Sequence, residues 1–180
     1  VNTLILQEAK ASSAIENIVT TNDVLYKALA SNIGNIDPMA KEVIRYREAV
    51  WDGFNAIKKG FQILNRMVQR IKENTASIRN RPGTYIGNPV TRTEVFTPPD
   101  GENVIRQKLK ELEDFIQTAG DMDALVKLAL IHYQFEAIHP FSDGNGRTGR
   151  IINILYLVQQ GLLELPVLYL SKFIIDQKNE

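Results

Sequence analysis

Two stretches with apolar residues at helical spacing meet at a glycine-rich loop, and this junction constrains the fold more than any other feature of the chain. The stretches cover residues 123–137 and 147–160. Their apolar positions repeat every three or four residues, as expected for helices that each bury one face. His139 precedes a proline, which disfavours the helical conformation and ends the first helix. The sequence therefore predicts a helix, a loop and a second helix. The apolar positions are Ala124, Leu128, Ile131 and Phe135, followed by Ile151, Ile154, Leu155 and Val158.

The loop has the composition of an anion-binding turn. Gly144-Asn145-Gly146 can adopt backbone angles closed to most residues, so that successive N–H groups can point into one concavity. The turn opens the second helix, whose dipole also favours an anion. Arg147 and Arg150 share the first turn of that helix, where each cation opposes the dipole by roughly 0.3–1 kcal/mol. A bound negative ligand explains this arrangement better than two solvated surface arginines do.

Two further side chains in the loop suit chemistry on a bound phosphate. Asp143 offers a hard oxygen ligand, and Mg²⁺ commonly binds one or two carboxylates together with phosphate oxygens and water. His139 lies four residues before it and has an ordinary pKa of about 6.5, so it can act as a general base at neutral pH. Together these residues predict a magnesium-dependent site that binds a polyphosphate and removes a proton beside it.

The segment 139–150 resembles the complete signature of Fic-domain proteins (the Fic/DOC family): histidine, proline and phenylalanine, an acidic residue, Gly-Asn-Gly-Arg and a second arginine. Most members with an intact signature are protein adenylyltransferases, which transfer AMP from ATP to a hydroxyl on a target protein. The resemblance covers nearly the whole chain. It implies an all-α Fic fold, a helical bundle with a small β-hairpin flap near the active site.

The resemblance also implies a role for each signature residue. His139 would take the proton from a Ser, Thr or Tyr hydroxyl of the target, and Asp143 would hold Mg²⁺ between the α- and β-phosphates of ATP. The backbone of residues 144–146 and the Asn145 side chain would cradle the phosphates. Arg147 and Arg150 would engage the β- and γ-phosphates.

A second segment matches the inhibitory motif of the same family. The motif is Ser or Thr, three residues, Glu, then Gly or Asn, and here it corresponds to Ser12, Glu16 and Asn17. The resemblance implies that the Glu16 carboxylate reaches Arg150 and removes the partner of the γ-phosphate. Two unit charges 4 Å apart interact by roughly 4 kcal/mol at an effective dielectric of about 20, which is enough to disfavour productive binding of ATP.

A dinucleotide-binding site and a zinc site are less consistent with the sequence. Gly144, Gly146 and Gly149 also spell G-x-G-x-x-G, but a dinucleotide-binding turn needs a preceding strand, and a helix is predicted there. A zinc site is not expected from two histidines and no cysteine. His132 lies beside the apolar stripe of its helix and is interpreted as a core histidine.

Composition limits the partners and the compartment. Lysine plus arginine equals aspartate plus glutamate at 21 each, so no global positive field predicts direct binding to nucleic acid. No apolar run approaches 18 residues, so no membrane association is expected. The absence of cysteine is typical of a cytoplasmic protein.

Helical spacing and end signals predict mostly helices, arranged in two regions. Residues 1–35 form an N-terminal helical region with the inhibitory motif, and residues 36–180 form the Fic catalytic core, in one compact unit overall. Between residues 75 and 100, turn signals surround two short extended pieces, 84–86 and 94–97, which are expected to pair as the hairpin. The predicted helices cover residues 3–17, 22–31, 37–59, 61–74, 101–118, 123–137, 147–160 and 166–176.

We therefore expect a self-inhibited protein adenylyltransferase that uses ATP and Mg²⁺ and acts on an unidentified target protein. Two alternatives stay open. The same fold could transfer another phosphate-bearing group or remove AMP from targets, or the chain could be a nucleotide-sensing regulatory module without catalysis. The intact His139 argues against the last of these, because binding alone needs no base. The sequence also leaves homo-oligomerisation open.

Overall fold

The fold is mainly helical in the computed structural model, which describes residues 2–30, 37–59, 78–88, 91, 93–118 and 120–177. These residues form seven helices and one antiparallel two-stranded sheet. The predicted all-α fold with a small hairpin is confirmed. The elements are α1 (Asn2–Ile15), α2 (Asn22–Ala30), α3 (Pro38–Lys58), β1 (Ile86–Asn88), β2 (Thr93–Phe96), α4 (Glu102–Gln117), α5 (Ala124–Ile138), α6 (Asn145–Gln159) and α7 (Leu170–Gln177).

One compact unit comprises the described residues before 64 and after 153. In it α1 packs against α3 and α7, and α2 packs against α3. The N-cap of α3 is Asp37, whose carboxylate accepts a hydrogen bond from the Ala40 N–H at 2.9 Å. Burial of apolar side chains holds this unit together. The buried side chains include Ile5, Leu6, Ala9, Leu25, Val43, Val50 and Leu155.

A buried carboxylate joins α1 to α7. Glu8 is 3% exposed and accepts hydrogen bonds from the Ser171 N–H at 3.2 Å and from the Ser171 hydroxyl at 2.5 Å. Glu8 thereby satisfies one of the N–H groups that every helix leaves unpaired in its first turn. The helix was predicted to start at Pro166 but starts at Leu170. The Val167 N–H donates to the Leu165 carbonyl at 2.7 Å, so a γ-turn comes before the helix.

The end of α1 is a Schellman motif. The Ile18 N–H donates to the Ser13 carbonyl and the Asn17 N–H donates to the Ala14 carbonyl, both at 3.1 Å. Asn17 has a φ of 64°, in the left-handed region that only glycine and asparagine adopt readily. The helix therefore ends at Ile15, not at Asn17 as predicted, and Glu16 is its C-cap.

The second compact unit comprises the described residues between 64 and 153. Here α4 packs against α5, and the first part of α6, up to residue 153, belongs to the same unit. Both helices bury apolar positions three or four residues apart, as the helical spacing predicts. They include Ile105, Leu109, Leu112 and Ile116 of α4 and Ile131, Phe135 and Ile138 of α5.

The β-hairpin of this unit pairs Ile86 with Phe96 and Asn88 with Thr93. The predicted hairpin is confirmed, although β1 lies two residues later than expected. An irregularity in the register follows Ile86, and a Cβ atom at Gly87 would lie 2.4 Å from the Thr93 carbonyl oxygen. A glycine is therefore needed at residue 87, where the Thr93 backbone leaves no room for a side chain.

The described residues do not test two of the predictions about the fold. The helix predicted over residues 61–74, with Gly60 before it, lies outside the described residues. The boundary predicted after residue 35 remains a prediction. Among the described helices, none is long and apolar enough to cross a membrane.

Candidate active site

His139 ends helix α5 in a left-handed conformation. Its φ and ψ are 46° and 59°, and its N–H donates to the Phe135 carbonyl at 3.0 Å as the last helical hydrogen bond. Pro140 follows and cannot continue the helix. The residue is half-buried, and its Nδ1 atom is shielded from solvent. The predicted base is thus fixed to the end of a rigid helix and lies at the start of the loop.

The loop after His139 is closed by Asn145. The Asn145 amide oxygen accepts from the Phe141 N–H at 2.9 Å, and its amide nitrogen donates to the Phe141 carbonyl at 2.7 Å. Asn145 is 3% exposed and Phe141 is 2% exposed, so this pair forms the buried base of the loop. The ring of Phe141 packs near that of Phe135, with 6.3 Å between their centroids.

The sequence assigned Asn145 to the phosphates and missed its role in shaping the loop. Asparagine is favoured where a helix starts because its amide can bond to nearby backbone groups, and this preference could have indicated the role. A contact between Asn145 and a phosphate stays a prediction.

Gly144 immediately precedes helix α6. Its carbonyl accepts the first helical hydrogen bond, from the Thr148 N–H at 3.0 Å, and its φ is 78°. A side chain is strained at this φ, and the Arg147 guanidinium would lie 3.3 Å from a Cβ atom at Gly144. The predicted turn with Gly146 at a helix N-terminus is thus present, and helix α6 starts at Asn145, two residues before the predicted start.

Arg147 and Asp143 form an ion pair at this turn. The guanidinium Nη2 lies 3.1 Å from the Asp143 Oδ2, and the side chains are 10% and 85% exposed respectively. The carboxylate therefore extends into solvent while the guanidinium is largely buried beside the positive end of the α6 dipole. This is the geometry expected if an anion and a hydrated cation bind here.

Arg150 lies near a polar contact between α5 and α6 and acts on it through its charge. His132 Nδ1 lies 3.2 Å from the Asn153 Nδ2. The two helices are also close at Gly149, because a Cβ atom there would lie 2.6 Å from a Glu136 carboxylate oxygen. Burial lowers the pKa of His132, the charge of Arg150 lowers this pKa further, and a hydrogen bond with the Gly149 backbone opposes both effects. His132 is therefore neutral at pH 7 and is a packing residue, in line with its interpretation from the sequence.

The residues of the inhibitory motif belong to the other compact unit. Ser12 is fully buried in α1, Glu16 is half-buried at the helix end and Asn17 is exposed. The positive φ of Asn17 gives a physical reason for Gly or Asn at the last position of the motif. Pairing of Glu16 with Arg150 stays a prediction.

The hairpin belongs to the same unit as His139 and exposes apolar side chains. All four residues of β2 are exposed, and the exposed fractions of Tyr85 and Val95 are 52% and 76%. Residue Ile78, before the hairpin, forms an antiparallel bridge with Phe141 of the loop. The chain segment just before the hairpin is thus connected to the loop that follows His139.

Comparison with known proteins agrees with this geometry. A model of the Fic/DOC family matches residues 57–157, and a model of the Fic/DOC family N-terminal region matches residues 1–55. A probable protein adenylyltransferase of Aquifex aeolicus is 27% identical over 174 residues, which cover 93% of this chain and 52% of that protein. The protein adenylyltransferase fic-1 of Caenorhabditis elegans is 37% identical over 76 residues, which cover 40% of this chain and 15% of that protein.

A solved structure shows the same fold. The crystal structure of a Fic family protein from Desulfovibrio desulfuricans superposes with a TM-score of 0.71 at 22% identity, over 97% of this chain and 53% of that one. The chain therefore spans about half the length of the Aquifex relative and of this structure.

Replacing Asn145 by Asp should open the base of the loop. A carboxylate oxygen would then face the Phe141 carbonyl in place of the amide donor, so a buried acceptor loses its partner. We expect the free energy of unfolding in urea at pH 7 to fall by about 1–3 kcal/mol. Ser142→Ala, an exposed change in the same loop, should stay within about 0.5 kcal/mol of the parent. Equal stability of Asn145→Asp and the parent would contradict the structural role.

The lowered pKa of His132 makes stability depend on pH. Below about pH 6.5 the unfolded chain binds a proton at His132 that the folded chain does not, so stability falls as pH decreases. We expect the parent to lose more stability than His132→Asn when urea unfolding is compared at pH 7.5 and 5.5. The other titrating groups are common to both proteins and cancel in the difference. Parallel pH profiles would show that His132 is not perturbed.

Proposed function

Because this chain belongs to the Fic/DOC family, we propose that it is a protein adenylyltransferase that transfers AMP from ATP to a hydroxyl side chain of a target protein. One observation supports this most strongly. A histidine at the end of α5 is followed by a loop that hydrogen bonds between Phe141 and Asn145 close, and then by a glycine turn at the start of α6 that suits an anion. The names of the Aquifex and Caenorhabditis relatives support the same activity.

The N-terminus of α6 would bind the triphosphate of ATP. The backbone N–H groups of Gly144, Asn145 and Gly146 and the positive end of the helix dipole favour an anion there. Arg147 and Arg150 lie on the first turn and would bind the β- and γ-phosphates. This binding would leave the α-phosphorus next to His139.

His139 would act as the general base. Because Nδ1 is shielded from solvent, we assign proton transfer to Nε2. The hydroxyl of the target loses its proton to Nε2 while its oxygen bonds to the α-phosphorus. The bond from this phosphorus to the bridging oxygen breaks, and pyrophosphate leaves in line. Catalysis then depends on positioning and on charge stabilisation near the phosphates.

Asp143 would hold Mg²⁺. Its carboxylate is 85% exposed beside the anion-binding turn, so it can share a cation with phosphate oxygens and water. Mg²⁺ would neutralise negative charge on the α- and β-phosphates. Arg147 would keep the carboxylate on this side of the loop through their ion pair.

The hairpin would align the target. Its strand β2 is exposed along its whole length, and exposed apolar side chains flank it. An extended segment of a target can add to such an edge through backbone hydrogen bonds. The Ile78 bridge to Phe141 connects this edge with the loop that begins at His139.

Glu16 would inhibit the enzyme. It caps the end of α1, and the buried Glu8–Ser171 hydrogen bonds fix that helix within its unit. A carboxylate held at Arg150 would occupy the partner of the γ-phosphate and repel the triphosphate, by roughly 4 kcal/mol for unit charges 4 Å apart at an effective dielectric of about 20.

A chain without cysteine also suits the reducing cytoplasm, where we propose that this protein acts.

Replacing Glu16 by Gly or Gln should activate the enzyme, because Arg150 is then available to the γ-phosphate. The measurement is transfer of label from ATP with a tracer on the α-phosphate to the protein itself or to proteins of a cell extract. We expect at least a tenfold increase over the parent. Asp23→Asn, which removes a negative charge elsewhere in the N-terminal region, should leave transfer unchanged. Equal transfer by all four proteins would exclude inhibition by Glu16.

Replacing His139 by Ala in the Glu16→Gly protein should reduce transfer about 10²–10⁴-fold, because the general base is lost. Binding of ATP, measured by calorimetry, should persist because the anion-binding turn is intact. A tracer on the γ-phosphate serves as the control, since adenylylation leaves it in pyrophosphate. Transfer that survives in His139→Ala would remove this residue from the mechanism. Protein labelled only from the γ-position would show phosphoryl transfer.

A further inference from the structure

A buried arginine outside the family signature contacts the backbone of His139. The Arg79 Nε donates to the His139 carbonyl at 2.7 Å, and its Nη2 donates to the Ile138 carbonyl at 3.3 Å. The Arg79 backbone N–H donates to the Pro140 carbonyl at 2.9 Å. The residue is only 6% exposed. Three consecutive carbonyls at the end of α5 are thus held by one residue.

The same guanidinium binds the chain on the far side of the hairpin. Its Nη1 donates to an Asp100 carboxylate oxygen at 3.0 Å, and its Nη2 also donates to the Pro99 carbonyl at 2.5 Å. Arg79 comes shortly before β1, and residues 99 and 100 come shortly after β2. Arg79 therefore closes the base of the hairpin and connects both of its ends to His139.

A guanidinium suits this position better than other side chains. The carbonyls at the end of a helix lack helical partners, and a positive charge there is favoured by the helix dipole. Arg79 directs donors to four acceptors in different directions through a planar, rigid fork. A lysine would keep the charge, but its single flexible ammonium cannot reproduce this geometry.

We propose that Arg79 is a positioning residue for the transfer reaction. It holds His139 in the left-handed conformation and fixes the position of the hairpin relative to the His139 side chain. A target hydroxyl aligned by the hairpin then arrives at the imidazole. The role of Arg79 in the reaction rests on the proposed function. Its effect on His139 is independent of that function and can be measured separately.

The kinetic test compares Arg79→Lys with a matched change in the Glu16→Gly protein. The control is Arg106→Lys, a change at a half-buried arginine of α4 that pairs with Glu102 one turn away. Rates are divided by the number of ATP sites from calorimetric titration, so that misfolded protein is not counted. We expect Arg79→Lys to lower kcat about 10–100-fold, with KM for ATP within twofold. A kcat within twofold of the Arg106→Lys control, or a rise in KM equal to the fall in kcat, would overturn the proposal.

The second test uses the imidazole NMR signals, which are simple because the chain has two histidines. His139→Ala identifies which signals belong to His139. Arg79→Lys should shift the His139 signals and leave those of His132 unchanged, while Arg106→Lys should move neither. Unchanged His139 signals, or equal shifts at both histidines, would overturn the proposal. If Glu16→Gly binds ATP but transfers nothing, the proposed function fails and this NMR result alone decides the role of Arg79.

A milder variant keeps the proposal testable if Arg79→Lys does not fold. Asp100→Asn removes the charged partner at the exposed end of the guanidinium and leaves Arg79 in place. We expect the His139 signals to shift in the same sense and kcat to fall by a smaller factor, about threefold. Signals and kcat identical to those of the Glu16→Gly protein would count against coupling between the base of the hairpin and His139.

Discussion

The left-handed backbone of His139 is the constraint on which the candidate site depends. This conformation costs a non-glycine residue roughly 1–2 kcal/mol, so its surroundings must enforce it. Pro140 prevents the helix from continuing, Phe141 is buried beside Phe135, and Arg79 binds the carbonyls at the helix end. The loop then has a fixed start, and Asn145 fixes its end. Asp143 lies between these two points, and Arg147 and Arg150 follow on the first turns of α6.

The charges at the start of α6, in the second unit, favour the binding of an anion. Arg147 is nearly buried beside the positive end of the α6 dipole, and Arg150 lies close enough to His132 to lower its pKa. The neutral state of His132 avoids a further positive charge between α5 and α6. Asp143 balances Arg147 in part, but its carboxylate is largely in solvent. A triphosphate with its cation would complete the electrostatics of this region.

Short-range patterns in the sequence predicted most of this architecture. Helical spacing, proline and glycine placed α5, the loop and α6 correctly, because these signals act within a few residues. The same signals did not reveal the role of Arg79, since its partners lie 20 and more residues away along the chain. They also missed the start of α7, which Glu8 of α1 caps from the other end of the sequence. The larger error, at α7, arose where a helix start is defined by a distant polar group, whereas the ends of α1 and β1 and the start of α6 were missed by only two residues.

The hydrogen bonds between Glu8 and Ser171 also bear on the order of folding. Their partners are 163 residues apart in sequence, so they can form only after both α1 and α7 have been synthesised. During synthesis α1 leaves the ribosome well before the donors for its buried carboxylate. Contacts of such long range form slowly, because much chain entropy is lost before they stabilise the fold. The packing of α1, the helix that ends next to Glu16, therefore depends on a contact that can form only after α5, the loop and α6 have been synthesised.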